Sequence, residues 1–261
     1  MKKYFSRLKF FIRYYSLVLQ SRLDFLLKRY PFVKDRSIPI SKNDLFFQET
    51  PAKLTRILLS NLTIQFNGAA CSVASTVTVL NSLREFLYKK TCFESPISQK
   101  EVLERVKTIH WKERMGENGY KGRRGLPVRE LGLVVNASLK EFNLTHQEVK
   151  TIPLLKKMPN LDQLKKELLE DLICFENNSK SLIIAHFNQA VFIGDLHVPH
   201  ISPVGAFDIK QNQVLMLDVD PEVNSPYWVS FNTFFNGLTW EYNHLMQKYG
   251  YNGGGYIKIL L

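Results

Sequence analysis

Residues 200–219 read HISPVGAFDIKQNQVLMLDV, and this stretch decides the fold class. Residues 200–209 mix apolar and polar positions in an extended manner, and Val214-Leu215-Met216-Leu217-Asp218-Val219 is a short apolar run of strand length. Lys210-Gln211-Asn212-Gln213 between them is a polar tetrapeptide suited to a hairpin turn. Working outward, Leu182-Ile183-Ile184-Ala185 predicts a preceding strand. Tyr227-Trp228-Val229-Ser230 predicts a following one, 231–249 a helix, and 256–261 a terminal strand after Gly253-Gly254-Gly255. Upstream the pattern is helical from Pro39 to about residue 175. Helices are predicted over 72–90, 100–109, 127–142 and 161–175, the third with Pro127 in its first turn. A helical N-terminal half packed on a C-terminal antiparallel sheet is an α+β layout.

The chain has 261 residues, 45% apolar and 23% charged, which excludes a disordered chain, a collagen-like fibre and a coiled-coil rod. No run of 18 apolar residues exists. Three cysteines, Cys71, Cys92 and Cys174, are too few for a disulfide scaffold or a closed zinc site, and an odd thiol count fits a reducing, cytoplasmic compartment. The net charge is +11, but residues 1–35 hold nine Lys/Arg against Asp24 and Asp35. That segment carries +7 and leaves +4 for the other 226 residues. The basicity thus belongs to an N-terminal arm, residues 1–37, and a domain over 38–261 follows it. With no zinc-finger spacing, ribonucleoprotein motif or phosphate loop, nucleic acid is not the expected partner. Phe5, Leu8, Ile12, Leu19, Leu23 and Leu26 give the arm an amphipathic helical pattern. It reads as a packing helix, as a contact for a membrane surface or another protein, or as an atypical export signal.

Cys71 follows the coil-like Gln65-Phe66-Asn67-Gly68-Ala69-Ala70 and opens the strongest helix. A thiol there meets unpaired backbone N–H groups and the positive end of the helix dipole, which favour a thiolate; the competing reading is a buried structural thiol. Gln65 can fold back to offer its amide beside the Cys71 N–H as an oxyanion hole, or stand as an ordinary surface glutamine. His200 begins one strand and Asp218 ends the next. Antiparallel pairing brings them to the same end, where a carboxylate could hold an imidazole serving Cys71; singly, a core histidine and a strand-end carboxylate are the bland readings. Asp195, His197 and His200 lack a fourth ligand for a metal site. Lys121, Arg123 and Arg124, among Gly116, Gly119, Gly122 and Gly125, form a basic glycine-rich loop.

These residues resemble the phytochelatin synthase family of papain-like cysteine transferases and peptidases. One block is QFNGAACSVASTVTVLNSL, Gln65 to Leu83; the other runs from His200-Ile201-Ser202-Pro203-Val204-Gly205 through Leu217-Asp218-Val219 to Pro226-Tyr227-Trp228-Val229. The resemblance loosely covers 38–261 and implies a papain-like fold and a Cys71–His200–Asp218 triad with Gln65 in the oxyanion hole. It implies attack on the Cys–Gly bond of glutathione or a related γ-glutamyl thiol, through a γ-glutamylcysteinyl thioester. No bound cofactor is implied; cadmium and zinc would enter as thiolates of glutathione, as substrate or activator. The end at Leu261, without a Cys-rich extension, resembles the short prokaryotic type, in which hydrolysis dominates over phytochelatin synthesis. A homodimer is among the states open to it. The chain departs from the family at Gly68, Ala70 and Ser72 around the cysteine. The acidic Asp218-Val219-Asp220-Pro221-Glu222 stands where the family carries a basic residue that helps hold a substrate carboxylate. The basic loop at Lys121, Arg123 and Arg124 could take that place or be simply solvated. Those departures keep open a papain-like amidase with another γ-glutamyl or protein substrate, and a non-catalytic binding module.

Overall fold

The computed structural model describes residues 36–50, 52–88, 95–178, 180–194, 197–223 and 225–261, with Ser16 and Leu19. All of the arm but Ser16, Leu19, Arg36 and Ser37 lies outside the described residues, as do Cys92 and Asp195.

Seven strands, β1 (Ser37–Pro39), β2 (Glu148–Leu154), β3 (Ser181–Asn188), β4 (Pro199–Asp208), β5 (Gln213–Met216), β6 (Tyr227–Ser230) and β7 (Gly254–Leu260), form one sheet among the described residues. Its order is β1-β6-β5-β4-β3-β7-β2, and every pairing is antiparallel. The class is α+β. Consecutive strands β3 to β6 are neighbours, and β4 and β5 meet across the polar tetrapeptide with Asp208 opposite Gln213. The ladder slips once, between Val204 and Ala206. Gly205 sits at this bulge, where a Cβ would stand 2.7 Å from Leu217 Cδ2, so the strand bends closely over its partner.

The helix Cys71–Tyr88 packs on β4 and is buried on every side from Cys71 to Leu83. The apolar face that helical spacing gives it in the sequence, Val73, Val77, Leu80 and Leu83 or Leu87, is only part of what it hides. Small hydroxyl residues make this affordable: Thr76, Thr78 and Ser82 donate to carbonyls four residues back. Ser75 Oγ donates to Ile201 O at 2.9 Å, tying the helix to β4.

Two expectations are corrected. β2 lies inside the stretch expected to be helical to about residue 175. It is an edge strand paired only with β7, where Pro153 costs no inner ladder bond. The helix expected over 231–249 stops at Leu238 and resumes over His244–Gln247. The Thr239 hydroxyl closes the first piece on Phe235 O at 2.9 Å, and Asn243 Oδ1 caps the second by accepting from Met246 N at 3.2 Å. The basic glycine-rich loop is a built turn, in which Tyr120 and Arg123 pair and Lys121 and Gly122 take positive φ.

β7 begins against the end of this broken helix. A Cβ at Gly254 would lie 2.3 Å from His186 O and 2.6 Å from Leu238 O, both backbone atoms. Gly254→Ala is therefore expected to lose about 3 kcal/mol or more, read as a lower urea midpoint; an unchanged midpoint would show that the two carbonyls yield.

Candidate active site

The segment before Cys71 is held by one asparagine. Asn67 accepts from Ala69 N through Oδ1 at 2.8 Å and from Ala70 N through its carbonyl at 3.1 Å, while its Nδ2 donates to Met115 O at 2.8 Å. This local turn delivers Cys71 as the first helical residue. The thiol is free of disulfide and 8% exposed. A Cβ at Gly68 would meet nothing within 4 Å, so the approach over the turn is open. Gln65 N donates to Val219 O at 2.9 Å, which fixes the glutamine beside the residue following Asp218. Gln65 is half-buried, and its Oε1 is shut from solvent without a partner among the described residues.

His200 and Asp218, both buried, are hydrogen-bonded at 2.7 Å through His200 Nε2 and Asp218 Oδ1. That leaves Nδ1 free of the carboxylate, and Cys71 lies close enough to the ring to raise its proton affinity. The structure thus brings Cys71, His200 and Asp218 together in that order, with Gln65 alongside. Sequence reasoning missed the groups that hold Asp218. Its Oδ1 also accepts from Asp220 N at 3.0 Å, and its Oδ2 accepts from Tyr227 Oη at 2.7 Å. The signal for Tyr227 was in the register, since Tyr227 stands opposite Met216, two residues before Asp218. Also missed was a second buried histidine, His186, opposite Ile201 on β3, with its ring stacked on Tyr251 at 5.9 Å. Tyr251 Oη donates to Arg124 O at 3.0 Å, so the basic turn rims the site through its backbone.

Burial disfavours the His200 imidazolium, but the Asp218 carboxylate, by charge and hydrogen bond, and Cys71 more than offset it; the ring is pushed up to about 10. Burial also opposes the Asp218 charge, and the His200 cation and its bond, with the Asp220 N–H and Tyr227 hydroxyl, hold the carboxyl below its usual range. The Tyr227 phenol is pushed well above its usual value by burial and by Asp218, so it remains a donor. His186 has no such partner: burial lowers it to about 4 and keeps it neutral.

The two histidines give stability opposite pH slopes. The unfolded chain takes up a proton at His186 that the fold refuses. Its contribution is present above pH 6.5 and drains away as pH falls to about 4, by up to about 3 kcal/mol. His200 holds a proton the unfolded chain releases, so its contribution is present below pH 6.5 and is lost as pH rises through about 10. The melting temperature should peak between these limbs, and His200→Gln should flatten the alkaline one. An alkaline limb as steep in the variant would refute the assignment.

His197 stacks on Trp240 at 4.8 Å, and its Nδ1 pairs with Asn188 Nδ2 at 3.1 Å. Among the described residues no group of three or more His, Cys, Asp or Glu side chains could hold a metal ion. No helix among them is long and apolar enough to cross a membrane. A surface cleft of about 500 Å³ is lined by Gln189, Asp220, Glu222 and Tyr227 but by neither Cys71 nor His200.

A thiol at a helix N-terminus, an imidazole on it and a buried carboxylate behind that ring form the apparatus of thiol-based acyl transfer. The chain belongs to the phytochelatin synthase family: the family model described as Phytochelatin synthase matches residues 45–251. At the level of that family the activity is transpeptidase-type transfer of γ-glutamylcysteine from glutathione. No curated protein matches the chain.

Proposed function

We propose that this protein is a papain-like enzyme that cleaves glutathione at its Cys–Gly bond and favours water over a second glutathione as acceptor. The observation that carries the reading is the hydrogen-bonded His200–Asp218 pair near Cys71, the first residue of a buried helix. The Cys71 thiolate attacks the cysteinyl carbonyl carbon. The oxyanion that forms is met by the Cys71 backbone N–H and the Gln65 amide. As the C–N bond breaks, His200 Nδ1–H gives its proton to the departing glycine amine, leaving a γ-glutamylcysteinyl thioester on Cys71. Water then loses a proton to His200 and attacks the thioester, releasing γ-glutamylcysteine and restoring the thiol. Asp218 keeps the ring oriented and stabilises its cationic form throughout. The α-amino group of a second glutathione, its thiol free or held as a cadmium or zinc thiolate, replacing water and losing a proton to His200 would form a peptide bond and release a γ-glutamylcysteine-extended product instead.

The test is incubation of the purified chain with glutathione, with and without cadmium, read by mass spectrometry. Glycine plus γ-glutamylcysteine is expected, with longer γ-glutamylcysteine oligomers a minor product. Dominant oligomers would overturn the preference for water. Intact glutathione alongside rapid alkylation of Cys71 would move the same chemistry to another γ-glutamyl or protein substrate, and slow alkylation would make the chain a binding module.

A further inference from the structure

A buried hydroxyl without a partner is costly, and native chains keep few of them. Tyr242 is one: the residue is 3% exposed, and its Oη is shut from solvent with no hydrogen-bond partner among the described residues. Its place in the fold is not held by that hydroxyl. The Tyr242 carbonyl accepts from Gln247 Nε2 at 2.8 Å, and the ring packs edge-on against Tyr251 at 6.3 Å. Tyr251 in turn stacks on His186, whose strand partner Ile201 follows His200 on β4. Burial above all, with Cys71 near both rings as a lesser cause, raises the two phenols and keeps them protonated and therefore donors. Tyr251 has spent its donor on Arg124 O. Tyr242 has not.

We propose that Tyr242 Oη–H donates a hydrogen bond to an acceptor oxygen of the γ-glutamylcysteinyl group carried on Cys71, making Tyr242 a substrate-binding residue for the acyl half of the substrate. The inference rests on the reading of Cys71 as the nucleophile of glutathione cleavage. An acyl group rich in carbonyl and carboxylate oxygens supplies what this donor lacks. It also explains why the chain keeps a phenol where phenylalanine would pack equally well.

Tyr242→Phe in the full chain separates the alternatives, because it removes one oxygen and keeps the ring. Glycine release from glutathione should fall roughly ten- to a hundredfold in kcat/KM. The fall should be the same for γ-glutamylcysteinylalanine, which shares the acyl half and differs in the leaving half. Alkylation of Cys71 by iodoacetamide should stay within about twofold, and the melting temperature should hold or rise. Turnover of both peptides within about twofold of the unaltered protein overturns the inference, as does a loss confined to glutathione. So does a lower melting temperature with matching loss of alkylation, which would mark the phenol as structural support. An unaltered protein that releases no glycine removes the underlying reading and this inference with it; normal turnover with an unimpaired variant removes this inference alone.

Discussion

Cys71→Ala should end glycine release from glutathione, lowering it by at least about 10⁴-fold, while the chain stays folded. No other group at this position can form the thioester. The only other described cysteine, Cys174, is half-buried on the helix Leu161–Asn178. The substitution removes a single sulfur from a small side chain already flanked by Ala69 and Ala70, so little packing is lost. Circular dichroism and the melting temperature provide the control for folding. Residual turnover above a few per cent in a folded variant would mean that the thiol does not carry the reaction. The variant also offers a second readout, since glutathione should still bind and shift its melting temperature.

His200→Ala should do nearly as much harm, on the order of 10³-fold, because it deprives Cys71 of its base and the departing amine of its proton donor. Asp218→Asn should do less, roughly 10²-fold. An amide carbonyl can still accept from His200 Nε2, but the charge that holds the imidazolium is gone. That carbonyl, in the place of Oδ1, also keeps the Asp220 N–H, but the NH₂ in the place of Oδ2 cannot accept from the Tyr227 hydroxyl. The pH profile distinguishes orientation from mere stability. His200 stands high because of Asp218, so the alkaline limb of Cys71 alkylation should move to lower pH in Asp218→Asn. An unmoved limb, or turnover within about twofold of the unaltered protein, would take Asp218 out of the machinery.

Much of this was legible in the residues because the signals are local. The strands β3 to β6 announce themselves by short apolar runs between turns, and Lys210-Gln211-Asn212-Gln213 marks the hairpin that aligns His200 with Asp218. The helix starting at Cys71 is equally plain. What escaped depends on partners distant in sequence. β2 is a strand because β7 returns to pair with it, and only the alternating exposure from Glu148 to Thr151 betrays it. The break after Leu238 answers to Gly254, which needs the Leu238 carbonyl at close range. Tyr242, Tyr251 and His186 look like ordinary core residues until the broken helix and β7 fold them against the Cys71 end.

The slip of the ladder at Gly205 is what makes the triad arithmetically possible. Asp208 faces Gln213, Phe207 faces Val214 and Ala206 faces Leu215; continued without interruption, that count would set Asp218 opposite Pro203. Neighbours across an antiparallel pair share a face, and faces alternate along a strand. Asp218 would then point away from His200, on the far side of the sheet. The extra residue at the bulge instead sets Val204 opposite Met216, and Leu217 N donates to Pro203 O at 3.0 Å, so Ser202 meets Asp218. Ser202 and His200 lie two apart and look the same way. The interval between a histidine and its carboxylate is thus a matter of odd and even. Forcing Gly205 into the ladder opposite Met216 would turn the carboxylate's back on the ring without altering either residue, whereas excising it would leave Val204 opposite Met216 and Ser202 opposite Asp218.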